Sequence, residues 1–128
     1  MKTGYEEVIE FWFAHATPQQ WFSKDIQLDN KIAERFTDCL QAAKQGELFS
    51  WRGCGEGRLA EIIVLDQFSR NIFREQPDAF AADSLALILA QEAVSLGVDK
   101  VLPATHRAFL YMPFMHSCLL YTSDAADD

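Results

Sequence analysis

The stretch Arg58–Phe73, RLAEIIVLDQFSRNIF, holds the conflict on which the reading of this chain turns. On a helical wheel at about 100° per residue, Leu59, Ile62, Ile63, Asp66, Arg70 and Phe73 share one arc about 100° wide. An acid and a base four apart pair readily on a helix, but surface pairs normally face water. Here the arc points both charges at the core. Charges persist there only when paired and hydrogen-bonded. The stretch is therefore expected to hold an internal ion pair, either as a clamp on helix register or as the floor of a site.

Working outward, the chain reads as five helices with no convincing strand. The first, Tyr5 to Ala14, sets Val8, Ile9, Phe11, Trp12 and Phe13 against Glu6, Glu7 and Glu10, and Ala16-Thr17-Pro18 ends it. Trp21 and Phe22 are expected as anchors in a connecting loop. Asp29 is the expected N-cap of the second helix, whose stripe is Ile32, Phe36, Cys39, Leu40 and Ala43, with Gly46 at C′. WRGCGEG (Trp51 to Gly57) reads as a flexible connection into the third helix. The fourth, Asp78 to Leu96, closes at Gly97. Its Ala79, Ala82, Ala86, Ala90 and Ala93 form a small-residue stripe that permits close helix approach. Because its other faces are also apolar, it is expected inside a multi-helix packing. The fifth begins near Pro103 and should kink at Pro113, freeing the Phe109 carbonyl. Short connections between antiparallel helices predict an all-α bundle or helical-hairpin array in one domain.

Composition bounds the function. The 128 residues suit a single core, with 49% hydrophobic residues and a high aromatic content that includes ten Phe and three Trp. A formal net charge of −8 argues against nucleic acid or an anionic membrane as partner. Three cysteines without paired spacing form no disulfide framework, and the acidic N-terminus does not resemble a signal peptide, so a cytoplasmic protein is expected. No metal site or cofactor is expected: His15 and His106 lack partners at ligand spacing, and Cys39 and Cys54 form no CxxC. The Gly53, Gly55, Gly57 run lacks the Lys-Ser/Thr ending of a phosphate loop.

The polar candidates cluster on the third helix. Arg70 can grip a carboxylate or phosphate with its planar fork, with Asp66 orienting it or acting as a base. Gln67 and Asn71 form a second i,i+4 pair about 100° around the wheel, and Arg74 closes the segment. Five polar residues within nine positions exceed what one structural clamp needs, which favours a binding surface. His116, expected on the side of Phe109 and Met112, completes the set. Asp66, Arg70 and His116 are the catalytic candidates, and the binding candidates are these three with Gln67, Asn71 and Arg74.

The segment LDQFSRNIFR (Leu65 to Arg74) resembles the hallmark of the bacterial domain-of-unknown-function 924 family. EFWF (Glu10 to Phe13), WF (Trp21-Phe22), GEL (Gly46 to Leu48), AFAADSLALILA (Ala79 to Ala90) and RAFLYMPFMHS (Arg107 to Ser117) agree with it in order. The resemblance implies a tetratricopeptide-like all-α fold and no settled activity. This chain departs from the family's usual pattern in three places. Ser69 stands where the family has Pro, Glu75 where it has a small or turn residue, and Cys118 where it has an acid.

The last eleven residues, CLLYTSDAADD (Cys118 to Asp128), resemble a translated sequencing adapter and hold three of the nineteen acids. Residues 1–117 are thus expected to be one helical domain, incomplete at its C-terminus, and 118–128 a non-native tail. Two functions remain open. One is a domain that binds a protein or peptide partner in a groove floored by the third helix. The other is an enzyme or small-molecule binder that uses the Asp/Arg/Gln/Asn cluster on a small polar or anionic ligand.

Overall fold

The computed structural model describes residues 3–127, with side chains up to Cys118. Among the described residues there is no strand, and the all-α expectation holds. α1 (Tyr5–Glu10) runs into a π-helical turn at Phe11–His15. Thr17 then starts a new helix rather than a loop. Its Oγ1 accepts from Gln20 N at 3.3 Å while Gln20 Oε1 accepts from Thr17 N at 2.9 Å. This capping box, with Pro18 at the first position, makes the short α2 (Pro18–Trp21). Trp21 therefore sits on a helix, where its Nε1 donates to the Trp12 carbonyl at 2.9 Å.

α3 (Ile26–Lys44) begins one turn earlier than expected. Asp25, not Asp29, is its N-cap, accepting from Leu28 N at 2.9 Å. That bond, followed by one from Gln20, holds the Asp25 carboxyl below its ordinary range. The cap's contribution is in place above the usual carboxylate range and is lost as pH falls through the lowered value. With the cap at Asp25, Asp29 is free for the other role described below. The expected stripe of Ile32, Phe36, Cys39, Leu40 and Ala43 is buried, and Gly46 takes the left-handed C′ position at φ 76°.

After a 3₁₀ turn at Phe49–Gly53, the central helix comprises α4 (Gly55–Ile63), a π-helical turn at Val64–Phe68, and α5 (Ser69–Ile72). α1, α6 and α8 pack on α4, and α3 packs on the π turn and α5. Leu59, Ala60, Ile62, Ile63, Val64, Leu65 and Phe68 are all fully buried. The single apolar arc of the wheel is thus corrected: this helix is surrounded. The π turn also changes the angular register between Ile63 and Arg70, which a uniform 100° step cannot represent.

α6 (Asp83–Ser95) follows a 3₁₀ turn at Pro77–Phe80, and α7 (Val98–Val101) leads to α8 (Ala104–Asp127). The alanine stripe of α6 is buried, with Ala86, Ala90 and Ala93 fully enclosed. Its opposite side is not: Ile88 and Leu96 are exposed, contrary to the expected interior position. Pro113 lies within α8. The backbone of α8 runs on to Asp127, and the side chains after Cys118 lie outside the described residues. Among the described residues, no helix is long and apolar enough to cross a membrane.

Glu75, just beyond α5, is the one non-glycine residue with positive φ among those described, at 66°. An L side chain is strained there and glycine is not. Its compensation is an exposed ion pair with Lys24 at 2.8 Å, a weak class of interaction. Glu75→Gly is accordingly expected to raise the urea midpoint of unfolding without changing the slope of the transition. A lower midpoint would show that the Lys24 contact outweighs the backbone strain.

Candidate functional site

A buried carboxylate organises the site. Asp66 lies in the π turn at 1% exposure. Its Oδ1 accepts from Arg70 Nη1 at 3.2 Å and contacts His116 Nδ1 at 2.9 Å, while Oδ2 accepts from Gln67 Nε2 at 2.9 Å. The structure therefore brings His116, fifty positions away on α8, onto the third-helix cluster. Arg70 also donates to the Asp66 carbonyl at 2.9 Å, within its own turn.

The expected ion pair is larger than two residues. Arg70 engages Asp83, at the start of α6, with both terminal nitrogens, at 2.9 and 3.0 Å. Its guanidinium lies over the Phe80 ring, 5.2 Å from the centroid. Asp83 was missed from sequence, although a lone acid in the apolar run AFAADSLALILA is a signal of the same kind as Asp66. Arg70 itself is 22% exposed, so it bridges core and surface rather than pointing wholly inward.

Gln67 and Asn71 do not pair with each other. Gln67 turns to Asp66, and Asn71 Nδ2 donates to Asp29 Oδ1 at 2.8 Å. Arg74 grips the same Asp29 carboxylate with Nε at 2.6 Å and Nη2 at 3.0 Å. This contact is the leading cause of an Arg74 pKa above its ordinary value. Asp29 thus serves as a tie between α3 and the end of α5.

Gln67, Arg70, Asn71, Arg74 and His116 line one cavity of about 300 Å³ together with Trp21, Phe22, Ser23, Lys24 and Met112. Five of the six sequence candidates thus converge, and the sixth, Asp66, grips three of them. A smaller cavity of about 80 Å³ adjoins the same network at Asp66, Asp83 and Pro113. The bacterial protein family of unknown function designated DUF924 has a family model that matches residues 8–126. This chain belongs to the DUF924 family. A solved structure from Agrobacterium tumefaciens, the protein of unknown function ATU0120, is 39% identical, with a TM-score of 0.83. The match covers 88% of this chain and 63% of that one, so the chain spans less than two thirds of the relative's length. No curated protein matches.

Ser69 directly follows the π turn at φ −57°, a value proline adopts. Its hydroxyl is fully buried and has no hydrogen-bond partner among the described residues. The remaining histidines stay apart from the cluster. His15 contacts Glu10, and His106 stacks on Phe13 at 3.8 Å, where burial lowers its pKa. Among the described residues, no group of three His, Cys, Asp or Glu side chains is placed to hold a metal ion.

The electrostatics narrow the chemistry. Three cations line the cavity, and each already faces a carboxylate: Lys24 with Glu75, Arg74 with Asp29, and Arg70 with both Asp66 and Asp83. The lining therefore offers no excess positive field to draw in a polyanion. It offers directed hydrogen bonds instead. Arg74 Nη1, Arg70 Nε, two Lys24 hydrogens and the Gln67 and Asn71 amide oxygens have no partner among the described residues.

Proposed function

We propose that this chain is a ligand-binding domain that holds a small polar molecule in the cavity over Asp66. The observation that supports it most is the shared lining. Side chains from the π turn, α5, α8 and the α2–α3 connection meet there, three of them fixed from below by one buried carboxylate. A fixed first layer with a supporting second layer is what selective small-molecule sites require. Because each cation is already neutralised, a neutral, zwitterionic or singly charged ligand suits the lining better than a polyphosphate. A cytoplasmic setting is part of this reading.

A second reading has its own support. Phe22, at the rim of the cavity, is 68% exposed. An exposed ring beside a polar cleft suits a side chain of a peptide or protein partner in a groove floored by the third helix, as a tetratricopeptide-like domain would use it.

Trp21 lines the cavity while Trp12 and Trp51 are buried, so intrinsic fluorescence can report occupancy. Screening hydroxylated, amino and carboxylated small molecules should produce an emission change and a concentration-dependent rise in Tm. Lys24→Met, at an exposed position, should weaken a hit by about tenfold, the equivalent of one lost hydrogen bond to a charged group. Signals from short peptides alone would favour the second reading. A screen in which neither emission nor Tm moves would refute both.

A further inference from the structure

The grip of Asp66 on His116 determines which ring nitrogen is left for the cavity. The Asp66 carboxylate is already ringed by donors from Arg70 and Gln67, and His116 Nδ1 approaches the same Oδ1 at 2.9 Å. A carboxylate used in this way offers only lone pairs, so Nδ1 is the nitrogen that carries hydrogen. In the neutral ring, Nε2 then keeps its lone pair. Nε2 has no hydrogen-bond partner among the described residues. The His116 side chain is 21% exposed and lines the cavity.

We propose that His116, oriented by Asp66, is the proton acceptor of the cavity, and that the selected ligand carries a hydroxyl or amino hydrogen to donate to Nε2. The inference rests on the ligand-binding reading and sharpens it. The rest of the lining that is still free consists of donors on Lys24, Arg70 and Arg74 and two amide groups. The cationic donors serve acceptor oxygens, whereas Nε2, like the two free amide oxygens, asks for a donor. The ligand class is therefore a small hydroxylated or amino compound with acceptor oxygens, such as a hydroxy acid. Asp66 acts as a positioning residue: it sets the tautomer and does not touch the ligand.

The test needs no ligand. Long-range proton–nitrogen NMR correlation on the full chain at pH 8 should show His116 with hydrogen on Nδ1 and none on Nε2. The chain has three histidines, so His15→Gln and His106→Gln assign the signal without altering His116. Diethyl pyrocarbonate adds an ethoxycarbonyl group to a bare imidazole nitrogen, and ethyl carbonate leaves and breaks down to ethanol and carbon dioxide. Peptide mapping should find His116 modified on the order of tenfold faster than the more exposed His15, as expected for an oriented, activated nitrogen. Hydrogen on Nε2, a doubly protonated ring, or modification of His15 with His116 untouched would overturn the proposal. A failed ligand screen accompanied by the expected tautomer would instead count against the ligand-binding reading.

Discussion

Arg70→Ala is expected to lower stability by about 3–5 kcal/mol, because it removes one partner from a largely buried ionic network. Asp66 is 1% exposed and Asp83 17%, and both lose the guanidinium that lies between them. The two carboxylates would then be left close together with Gln67 and His116 as their remaining donors. Urea unfolding gives the value directly. The informative comparison is Arg70→Met with Asp66→Leu. For an isolated pair, a well-packed apolar replacement is nearly neutral. Here the exchange also strands Asp83, Gln67 and His116, which are partly buried, so that each loses a partner for up to about 1–3 kcal/mol. The double variant should therefore remain destabilised by about 2 kcal/mol or more, and adding Asp83→Leu should recover part of the loss. A double variant as stable as the parent chain would show that Asp66 and Arg70 are a self-contained clamp and that the wider network contributes nothing.

The local half of this network is legible in the sequence, and the long-range half is not. The conflict at Asp66 and Arg70 was visible because both residues are local to one helix and four positions apart. Their long-range partners were not. Asp83 and Asp29 lie thirteen and forty-five positions from the arginines they hold. No helical period connects such residues. By sequence Asp29 reads as a cap, because a carboxylate before an apolar stripe usually serves that role. Asp25 filled it instead, which left Asp29 to tie α3 to Arg74 and Asn71. His116 was placed on the correct side of α8 by periodicity, but its contact with Asp66 depends on how α8 lies along the central helix. The π turn was also hidden, since a 100° step assumes α geometry throughout. The polar content of the site was thus legible, while its connectivity required coordinates.

The glycine run is the case in which composition misled most, and Gly57→Ala tests it. The run reads as a flexible connector, and Gly53 behaves accordingly: a Cβ there meets nothing within 4 Å. Gly57 is different. It is buried in the first turn of α4, and a Cβ would collide with the Trp51 carbonyl oxygen and lie 2.8 Å from its carbon. The obstacle is backbone, so no rotamer change relieves it. The close approach seats the Phe49–Gly53 turn against α4. From there Arg52 reaches Glu61, which is 1% exposed, with bonds of 2.8 Å from both Nε and Nη2. That contact is the leading reason the Arg52 pKa lies above its ordinary value. Alanine is favoured over glycine in a helix by about 1 kcal/mol, so propensity alone predicts a gain. The steric term should win: pushing the turn away strains the Arg52–Glu61 contact and uncovers Trp51, for a net loss of about 3 kcal/mol or more. Gly53→Ala, in open space, should be close to neutral under the same urea assay. If both variants unfold at the parent midpoint, the segment is a connector after all, and Gly57 plays no part in seating Arg52 on Glu61.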